Sequence, residues 1–294
     1  MKNNATKPMG KKPPWLKRRL PTGHNYENVR RLLDKTSLHT VCQEAKCPNL
    51  WECFSKETAT FLIMGPRCTR NCRFCAVAHG PISLPDPGEP ARVAEAVQTL
   101  NLEYVVVTSV TRDDLSDGGA DHFAATIHSI RKRSPNIRIE VLIPDFMGSK
   151  NALETVVNAG PDVLNHNLET VKRLYPDVRP EAVYERSLTL LKNAREYAPP
   201  GLPIKSGLML GLGETHAELM ETFQDLLRHG CSLLTLGQYL QPSKSHLAVA
   251  RFVPPEEFDS LREAALDMGF DDVASGPFVR SSYQAKELFN HQGT

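Results

Sequence analysis

The sequence lacks any long apolar run, and this absence limits the classes of protein that it can encode. No stretch of the 294 residues approaches the roughly eighteen uninterrupted apolar residues of a transmembrane helix, so we expect no membrane span. Residues 1–20 have no acidic side chain and hold seven Lys or Arg together with three Pro. Such a segment is expected to be disordered. Because it also lacks the apolar centre of a secretory signal, the sequence predicts a cytoplasmic protein.

Neither sign of charge is in excess over the whole chain. The net charge is only +1, which gives no general attraction to nucleic acid. The basic start suits an acidic protein partner at least as well as nucleic acid. No later part of the sequence supports a nucleic-acid site, and we therefore expect no nucleic-acid partner. The length suits a single α/β barrel with a sizeable apolar core.

Neither of the two cysteine groups has the fourth ligand that a closed zinc site needs. Six of the seven cysteines fall into two triplets: Cys42, Cys47 and Cys53, and Cys68, Cys72 and Cys75. In a chain without a secretion signal, grouped thiols favour metal binding over disulfides. Cys231 stands alone and is expected to be a small, buried apolar residue.

The second triplet has the spacing Cys68-x3-Cys72-x2-Cys75 and directly follows the apolar run 60–65. A loop this short brings three sulfurs to one point and supplies no fourth protein ligand. A cubane iron–sulfur cluster on three thiolates keeps one iron open for another molecule. Three arginines are interleaved with the cysteines and are expected to lower the thiol pKa values and to offset the cluster charge: Arg67, Arg70 and Arg73.

The first triplet has the spacing Cys42-x4-Cys47-x5-Cys53, on a stretch with no clean helical or strand period. As a zinc site it is again one ligand short, although His39 would complete it. Simple core packing is a second alternative. Two incomplete triplets in one chain favour two clusters.

From residue 60 the chain alternates between short apolar strands and amphipathic helices. This pattern predicts a parallel sheet, either doubly wound or barrel-shaped. The predicted strands are Thr60–Met64, Tyr104–Ser109, Ile137–Ile143, Val163–Asn165, Ile204–Leu210 and Leu233–Gly237. The predicted helices are Asn25–Lys35 and the stretches near 90–101, 120–133, 150–158, 181–197, 215–229 and 255–267.

Polar residues follow several predicted strands, where ligands of parallel sheets bind. The aspartates in 113–117 suit caps and turns better than a metal site. Glu169 stands at helical spacing from His166, which suits either a metal or a carboxylate at a helix N-terminus. Arg179 can pair with the nearby Asp177 or Glu181. The segment 207–214 carries three glycines but no following Gly-Lys-Ser/Thr, so it is not a phosphate loop.

The second triplet, with Phe74 just before its last cysteine, resembles the signature of the radical S-adenosylmethionine (SAM) enzymes. The resemblance implies a 4Fe-4S cluster on Cys68, Cys72 and Cys75, whose open iron is chelated by SAM. The reduced cluster then cleaves SAM to a 5'-deoxyadenosyl radical. It also implies the fold of that family, a partial (βα)6 TIM-type barrel, here with N-terminal and C-terminal extensions.

The same resemblance implies contacts to SAM. Phe74 is expected against the adenine and Glu169 on the ribose hydroxyls, where a carboxylate accepts from two donors. Arg179 is a candidate partner of the SAM carboxylate. Thr111 is expected to contact SAM, and Gly211 lies on the glycine-bearing strand that approaches the adenine.

The first triplet, followed far downstream by Arg280-Ser281-Ser282-Tyr283, resembles the lipoyl synthase family from about residue 20 onward. The resemblance implies a second, auxiliary 4Fe-4S cluster on the first triplet, with a serine as its fourth ligand. We assign that ligand to Ser282, with Ser281 as the competitor. The implied reaction inserts two sulfur atoms at C6 and C8 of a protein-bound octanoyl-lysine. Its implied catalytic residues are Cys68, Cys72, Cys75 and Ser282.

The implied partners are an octanoylated lipoyl carrier domain or a glycine cleavage H-type protein, and an electron donor such as ferredoxin or flavodoxin. The implied division of the chain is a basic tail at 1–24, an extension carrying the auxiliary cysteines at 25–58, the barrel at 59–270 and a C-terminal extension at 271–294. Two other functions are compatible with the residues: another radical SAM sulfur-inserting enzyme, and a non-catalytic iron–sulfur or zinc protein.

Overall fold

A computed structural model describes residues 12–17, 24–55, 60–80 and 82–282, together with Ala285 and Leu288. Most of the predicted basic tail, and Tyr283 of the C-terminal motif, lie outside the described residues. Within the described part, no helix is both long and apolar enough to cross a lipid bilayer.

The secondary structure alternates between strands and helices from residue 60 onward. The helices are α1 His24–Thr36, α2 Val41–Glu44, α3 Leu50–Ser55, α4 Glu89–Thr99, α5 Ala120–Arg133, α6 Lys150–Asn158, α7 Tyr175–Val178, α8 Tyr184–Tyr197, α9 His216–Arg228 and α10 Pro255–Met268. The strands are β1 His39–Thr40, β2 Thr60–Ile63, β3 Arg67–Cys68, β4 Ala78–His79, β5 Tyr104–Ser109, β6 Arg138–Leu142, β7 Val163–Asn165, β8 Ile204–Leu210, β9 Leu233–Gln238 and β10 Asp272–Gly276. Short 3-10 helices cover Pro14–Leu16, Phe146–Gly148 and Lys172–Leu174.

Eight strands form one sheet in the order β1-β2-β5-β6-β7-β8-β9-β10. All of its pairs are parallel except β1 with β2. Each strand from β2 onward therefore lies beside the next strand of the sheet along the chain. A doubly wound sheet reverses its strand order at a switch point, whereas right-handed crossovers that always proceed in one direction curl the sheet into a barrel. No pairing joins β1 to β10 within the described ranges, so the barrel is partial, as predicted.

All six predicted barrel strands are present, and three of them have the predicted bounds: β5, β7 and β8. Six strand–helix units are followed by β10, which is not among the predicted strands. It pairs in parallel with β9 over Asp272–Gly276 and lies within the stretch assigned to the C-terminal extension. Its sequence, Asp-Val-Ala-Ser-Gly, contains a single β-branched residue, so its strand propensity is low and tertiary pairing decides its conformation.

The core lies between the barrel strands and the helices outside them. The four residues of β2 are all buried, which explains why the parallel strands read as continuous apolar runs. Helix α5 buries Phe123, Ile127 and Ile130 completely, at the spacing of one helical face. Each such side chain contributes roughly 1.5–3 kcal/mol through the removal of apolar surface from water. The barrel is therefore a rigid support for the loops at its strand ends.

Candidate functional site

The loop that carries the second cysteine triplet starts at a sharp turn after β2. Met64 and Gly65 both have positive φ values, 66° and 84°. The buried Glu89 carboxylate accepts two hydrogen bonds there through Oε2, from the Met64 N–H at 2.7 Å and from His122 Nε2 at 2.7 Å. Two helices thus fix the point at which the chain leaves the barrel.

The cysteine loop is docked on the end of β5. Cys68 Sγ accepts from the N–H groups of Arg70, at 3.4 Å, and Thr111, at 3.3 Å. Thr69 Oγ1 donates to the Thr111 carbonyl at 2.9 Å, and the Cys75 N–H donates to the Cys72 carbonyl at 3.0 Å. Main-chain N–H groups directed at a cysteine sulfur are a common feature of iron–sulfur sites, where they tune the cluster.

The three sulfurs of this loop lie close enough to influence one another's ionisation. Burial, together with the neighbouring Cys72 and Cys68, raises the pKa of Cys75 to about 12. Burial also raises the pKa of Cys72, against the opposing charge of Arg179. Buried thiols like these ionise when a metal displaces their protons. The donor set therefore fits a thiolate-bound cluster.

None of the three interleaved arginines is among the main causes of the pKa shifts of Cys72 and Cys75. Arg70 is only 4% exposed and donates to Asp113 Oδ2 at 2.7 Å and to Asp145 Oδ2 at 3.0 Å. Arg67 bonds the carbonyl of His79, and Arg73 bonds that of Asp177. Their guanidinium groups are occupied by acceptors that the sequence did not indicate.

The cation beside the cysteines is instead Arg179, which lowers the pKa of Cys72. Its Nη1 donates to the carbonyls of Asn167 and Leu168, both at 3.0 Å. Its Nε atom is buried without a partner within the described residues, and the same is true of Asn167 Oδ1. A buried donor and a buried acceptor without partners are expected where a polar ligand binds. Asp177 and Glu181, the predicted alternative partners of Arg179, instead contact Arg73 and the Asn71 N–H. The predicted place of Arg179 near the SAM site is compatible with this geometry.

Glu169 lies in the same group in a strained conformation. Its φ is 68°, which is rare for a residue with a side chain. Its N–H donates to the Gly207 carbonyl, and its own carbonyl accepts from the Met209 N–H, both at 2.9 Å, so β8 holds it on both sides. Burial raises the pKa of its carboxyl, opposed by Arg179 and by a hydrogen bond from Asn167. Strain of this kind, roughly 1–3 kcal/mol, is typical of residues that orient a functional side chain.

The other predicted SAM contacts have roles in the fold. Phe74 is half-buried against the core, and Thr111 offers its N–H to Cys68. A Cβ at Gly211, whose φ is 94°, would overlap Gln238 and the Arg251 carbonyl, so the fold itself requires glycine there. Their contact with SAM stays a prediction.

The first triplet spans two short helices, with Cys42 on α2, Cys53 on α3 and Cys47 in the connection between them. The Cys47 N–H donates to the Cys42 carbonyl at 3.1 Å. A hydrogen bond with Cys53 raises the pKa of the buried Cys42, as do burial and the charge of Cys47. The three thiols thus share one environment, and all six triplet cysteines are free thiols.

The zinc alternative for the first triplet is not supported. His39 Nδ1 lies 3.0 Å from Glu44 Oε1. Across the described ranges, no three His, Cys, Asp or Glu side chains are grouped to hold a single metal ion. In a cubane cluster each cysteine binds a different iron, so wider separation of the sulfurs is expected.

The segment 278–281, which includes the first two residues of the C-terminal motif, contacts both the first triplet and the barrel interior. Asn49, between Cys47 and Cys53, donates through Nδ2 to the Phe278 carbonyl at 2.7 Å. Asn167 Nδ2 donates to Ser281 Oγ at 2.6 Å, and Lys205 Nζ donates to the Ser281 carbonyl at 2.6 Å. The structure thus brings residues 278–281 to both groups of predicted site residues. Lys205 is not among the predicted site residues, because Ile204–Leu210 is predicted only as an apolar strand. A lysine inside such a strand is the signal that could have identified it.

The chain matches the model of the Radical SAM superfamily over residues 62–226. Solved structures with low sequence identity share its fold. HydG, a maturase of the [FeFe]-hydrogenase, has a TM-score of 0.56 with 16% identity, covering 91% of this chain and 67% of its own. Streptococcus suis SuiB, bound to S-adenosylmethionine, has a TM-score of 0.55 with 12% identity, covering 75% of this chain and 51% of its own. Fold and cysteine loop together define a radical SAM protein.

Comparison with closer relatives narrows this class. Residues 1–47 match the N-terminal domain of lipoyl synthase of the Radical SAM family. Lipoyl synthase of Desulfotalea psychrophila is 60% identical over 278 residues, which cover 95% of this chain and 93% of the relative. Lipoyl synthase of Chlorobaculum tepidum is 54% identical, with 94% and 95% covered. The chain belongs to the lipoyl synthase family.

Proposed function

We propose that this chain inserts two sulfur atoms at C6 and C8 of an octanoyl chain that is amide-linked to a carrier-protein lysine, giving lipoyl-lysine. The observation that supports this most directly is the placement of residues 278–281. They are bound at Phe278 by Asn49, within the first triplet, and at Ser281 by Asn167, beside Glu169 and Arg179. A sulfur source and a radical source must both reach the same carbon chain, and this segment adjoins both groups.

The substrate demands a radical because an unactivated C–H bond offers no acidic proton to a base. A 4Fe-4S cluster bound by Cys68, Cys72 and Cys75 would supply the electron that cleaves SAM. Glu169 would accept hydrogen bonds from the ribose hydroxyls. Arg179 would donate its free Nε–H to the SAM carboxylate. Glu169 is held by the main chain of β8, and Arg179 by the main-chain carbonyls that follow β7, so both are oriented before SAM arrives.

The sulfur would come from a second 4Fe-4S cluster, consumed as a substrate and held by Cys42, Cys47, Cys53 and Ser282. Each insertion exchanges one C–H bond for one C–S bond, so each product uses two SAM molecules. A serine ligand favours this sacrifice because an alkoxide is more easily released on protonation than a thiolate.

The contacts of Ser281 favour Ser282 as the ligand. Ser281 Oγ is engaged by Asn167 at 2.6 Å, and its carbonyl is engaged by Lys205. Gly207 leaves space for this approach, since a Cβ there would lie 3.1 Å from Ser281 Oγ. Ser281 therefore fixes the segment, and the neighbouring Ser282 is left to bind iron.

The partners follow from the reaction. The octanoyl group would be presented by a lipoyl carrier domain or a glycine cleavage H-type protein, and ferredoxin or flavodoxin would reduce the clusters in the cytoplasm. The basic residues near the start of the chain would steer an acidic carrier. Residues 25–58 and 271–294 would act as the cluster-bearing extensions of a barrel at 59–270.

The test is an anaerobic incubation of the reconstituted protein with SAM, a reductant and an octanoyl-lysine peptide. The proposal expects a peptide that gains two sulfur atoms and two molecules of 5'-deoxyadenosine per product. Formation of 5'-deoxyadenosine without sulfur gain would point to another radical SAM activity. Absence of both products from a protein with full iron content would overturn the proposal.

A further inference from the structure

Four consecutive strands direct one polar side chain each to a buried network inside the barrel. Glu140 of β6 is the centre, and it is fully buried. Its Oε2 accepts from Tyr104 Oη of β5 at 2.6 Å, and its Oε1 accepts from Asn165 Nδ2 of β7 at 3.1 Å. Lys205 of β8, 1% exposed, donates to both carboxylate oxygens, at 2.9 and 3.1 Å.

Stability alone does not explain this ion pair. The cost of removing two charges from water commonly equals or exceeds their attraction, and apolar residues of similar volume are often as stable in the same place. The third hydrogen bond of the Lys205 ammonium group indicates a different role for this ion pair. Lys205 Nζ donates to the main-chain carbonyl of Ser281, 76 residues further along the chain, at 2.6 Å. The network therefore joins the barrel to the C-terminal segment.

Two glycines permit the close approach of that segment. A Cβ at Gly237 would overlap the Val279 carbonyl, and a Cβ at Gly207 would crowd Ser281. The chain at 279–281 thus passes directly over β8 and β9. Because Glu140 is bonded from three neighbouring strands, Lys205 has little freedom to move, and its ammonium group presents a fixed donor to the segment.

We propose that Lys205, oriented by Glu140, is a positioning residue that fixes the main chain at Ser281 and thereby places Ser282 to complete the site of the first triplet. The role rests on the proposed function only in the assignment of Ser282 as an iron ligand. Lys205 touches neither substrate nor iron in this role, since it acts through the Ser281 carbonyl.

The test replaces both partners at once, so that no unpaired charge stays buried. Lys205→Met with Glu140→Leu removes the donor to Ser281. A second double variant, Lys205→Gln with Glu140→Gln, keeps a polar pair but is too short to reach the carbonyl. The matched control replaces the exposed ion pair Lys172–Glu185 by Met and Leu, since that pair lies 2.6 Å apart on the surface. All proteins are reconstituted anaerobically before measurement.

Hydrogen–deuterium exchange of residues 277–282 is the first measurement. Loss of a hydrogen bond to a charged donor should accelerate exchange there by about tenfold or more in both double variants, with β5 to β8 unchanged. The second measurement is the Mössbauer spectrum, in which the signal of the cluster on the first triplet should change while that on Cys68, Cys72 and Cys75 is kept. The control should match the wild type in both.

Wild-type exchange rates at 277–282 in either folded double variant would overturn the proposal, because the segment would then be fixed by other contacts. Faster exchange with an unchanged cluster spectrum would also overturn it, since Ser282 would not depend on the anchor. If the wild-type protein bound a single cluster, the proposed function would fail, whereas the anchoring of the segment would still be measured by exchange.

Discussion

Asn49 donates a hydrogen bond of 2.7 Å to the carbonyl of Phe278, 229 residues away. This contact joins the stretch between Cys47 and Cys53 to the C-terminal segment, shortly after β10. Asn49 is only 1% exposed, and its Oδ1 is buried without a partner within the described ranges. A buried amide with one unused acceptor is compatible with a site whose remaining occupant binds close by.

Asn49→Ala should therefore loosen the C-terminal segment. The Phe278 carbonyl would lose this donor, and we expect a loss of about 2 kcal/mol in the free energy of unfolding together with lower iron content. Denaturant unfolding and iron analysis measure the two effects. Asn28→Ala, on the exposed face of α1, is the control and should change stability by less than about 0.5 kcal/mol. Equal effects of the two substitutions would contradict this role of Asn49.

The assignment of Ser282 predicts different outcomes for the two serines. Ser282→Cys should leave 5'-deoxyadenosine formation intact but reduce sulfur insertion at least about tenfold, equivalent to about 1.4 kcal/mol in the barrier, because a thiolate is released less readily. Ser281→Ala should keep the second cluster, since the Ser281 carbonyl still accepts from Lys205. Mass analysis of the peptide product and quantification of 5'-deoxyadenosine distinguish the two. Unimpaired sulfur insertion by Ser282→Cys would refute the assignment.

Glu169→Gln should weaken SAM binding. The amide keeps the shape of the side chain but loses the charge that makes a carboxylate a strong acceptor for two hydroxyl groups, and we expect the Kd for SAM to rise by about tenfold or more. Equilibrium binding of SAM to the reconstituted protein measures the change. Glu185→Gln, on the surface of α8, is a control that should bind SAM normally. An unchanged Kd in Glu169→Gln would remove Glu169 from the site.

Asp145 predicts a defined pH dependence of stability. Its burial raises the pKa, but the hydrogen bonds and charge of Arg70 outweigh this and lower the pKa from 3.8 to about 2. A carboxyl with a lowered folded pKa stabilises the fold above the unfolded value, and this contribution is lost as the pH falls from 3.8 through about 2. The difference between the unfolded and folded pKa values of Asp145 corresponds to about 2 kcal/mol in the free energy of unfolding.

Asp145→Asn should consequently be less stable than the wild type at neutral pH by about 2 kcal/mol, with the deficit shrinking below pH 3.8. Urea unfolding of the iron-free chain between pH 2 and 7 measures this. Asp34→Asn, at a long and exposed ion pair, is the control and should follow the wild-type curve. A deficit that stays constant with pH would mean that packing, and not ionisation, explains the effect.

The alternation of strands and helices was predictable because the strands are short, continuous apolar runs and the helices are amphipathic, whereas the barrel form was implied by the resemblance to the radical SAM enzymes. Both signals depend on local sequence alone, so β5, β7 and β8 have the predicted bounds. β10 escaped prediction because Asp272–Gly276 has weak strand propensity and acquires its conformation by pairing with β9. Strand propensity can be estimated from the local sequence, whereas strand pairing is a property of the folded sheet.

The two cysteine groups were recognisable from their spacing in the sequence, whereas the residues that support them were not. Cysteine spacing is a local property, and within each triplet the thiols lie close enough to affect one another's pKa. Arg70 lies between cysteines in the sequence, yet its partners Asp113 and Asp145 come from other strand ends. Its position in the sequence therefore did not reveal these ion pairs. Lys205 and Glu140 pair across 65 residues, and only the fold reveals this.

The proposed function requires that a cluster on the first triplet is consumed as the sulfur source. The most direct measurement is a single turnover of protein reconstituted with isotopically heavy sulfide, freed of unbound sulfide, and then given SAM, reductant and octanoyl-lysine peptide. We expect the product to carry two heavy sulfur atoms and about four of about eight irons per chain to be released. A product that carries light sulfur, or one that forms with both clusters intact, would contradict it.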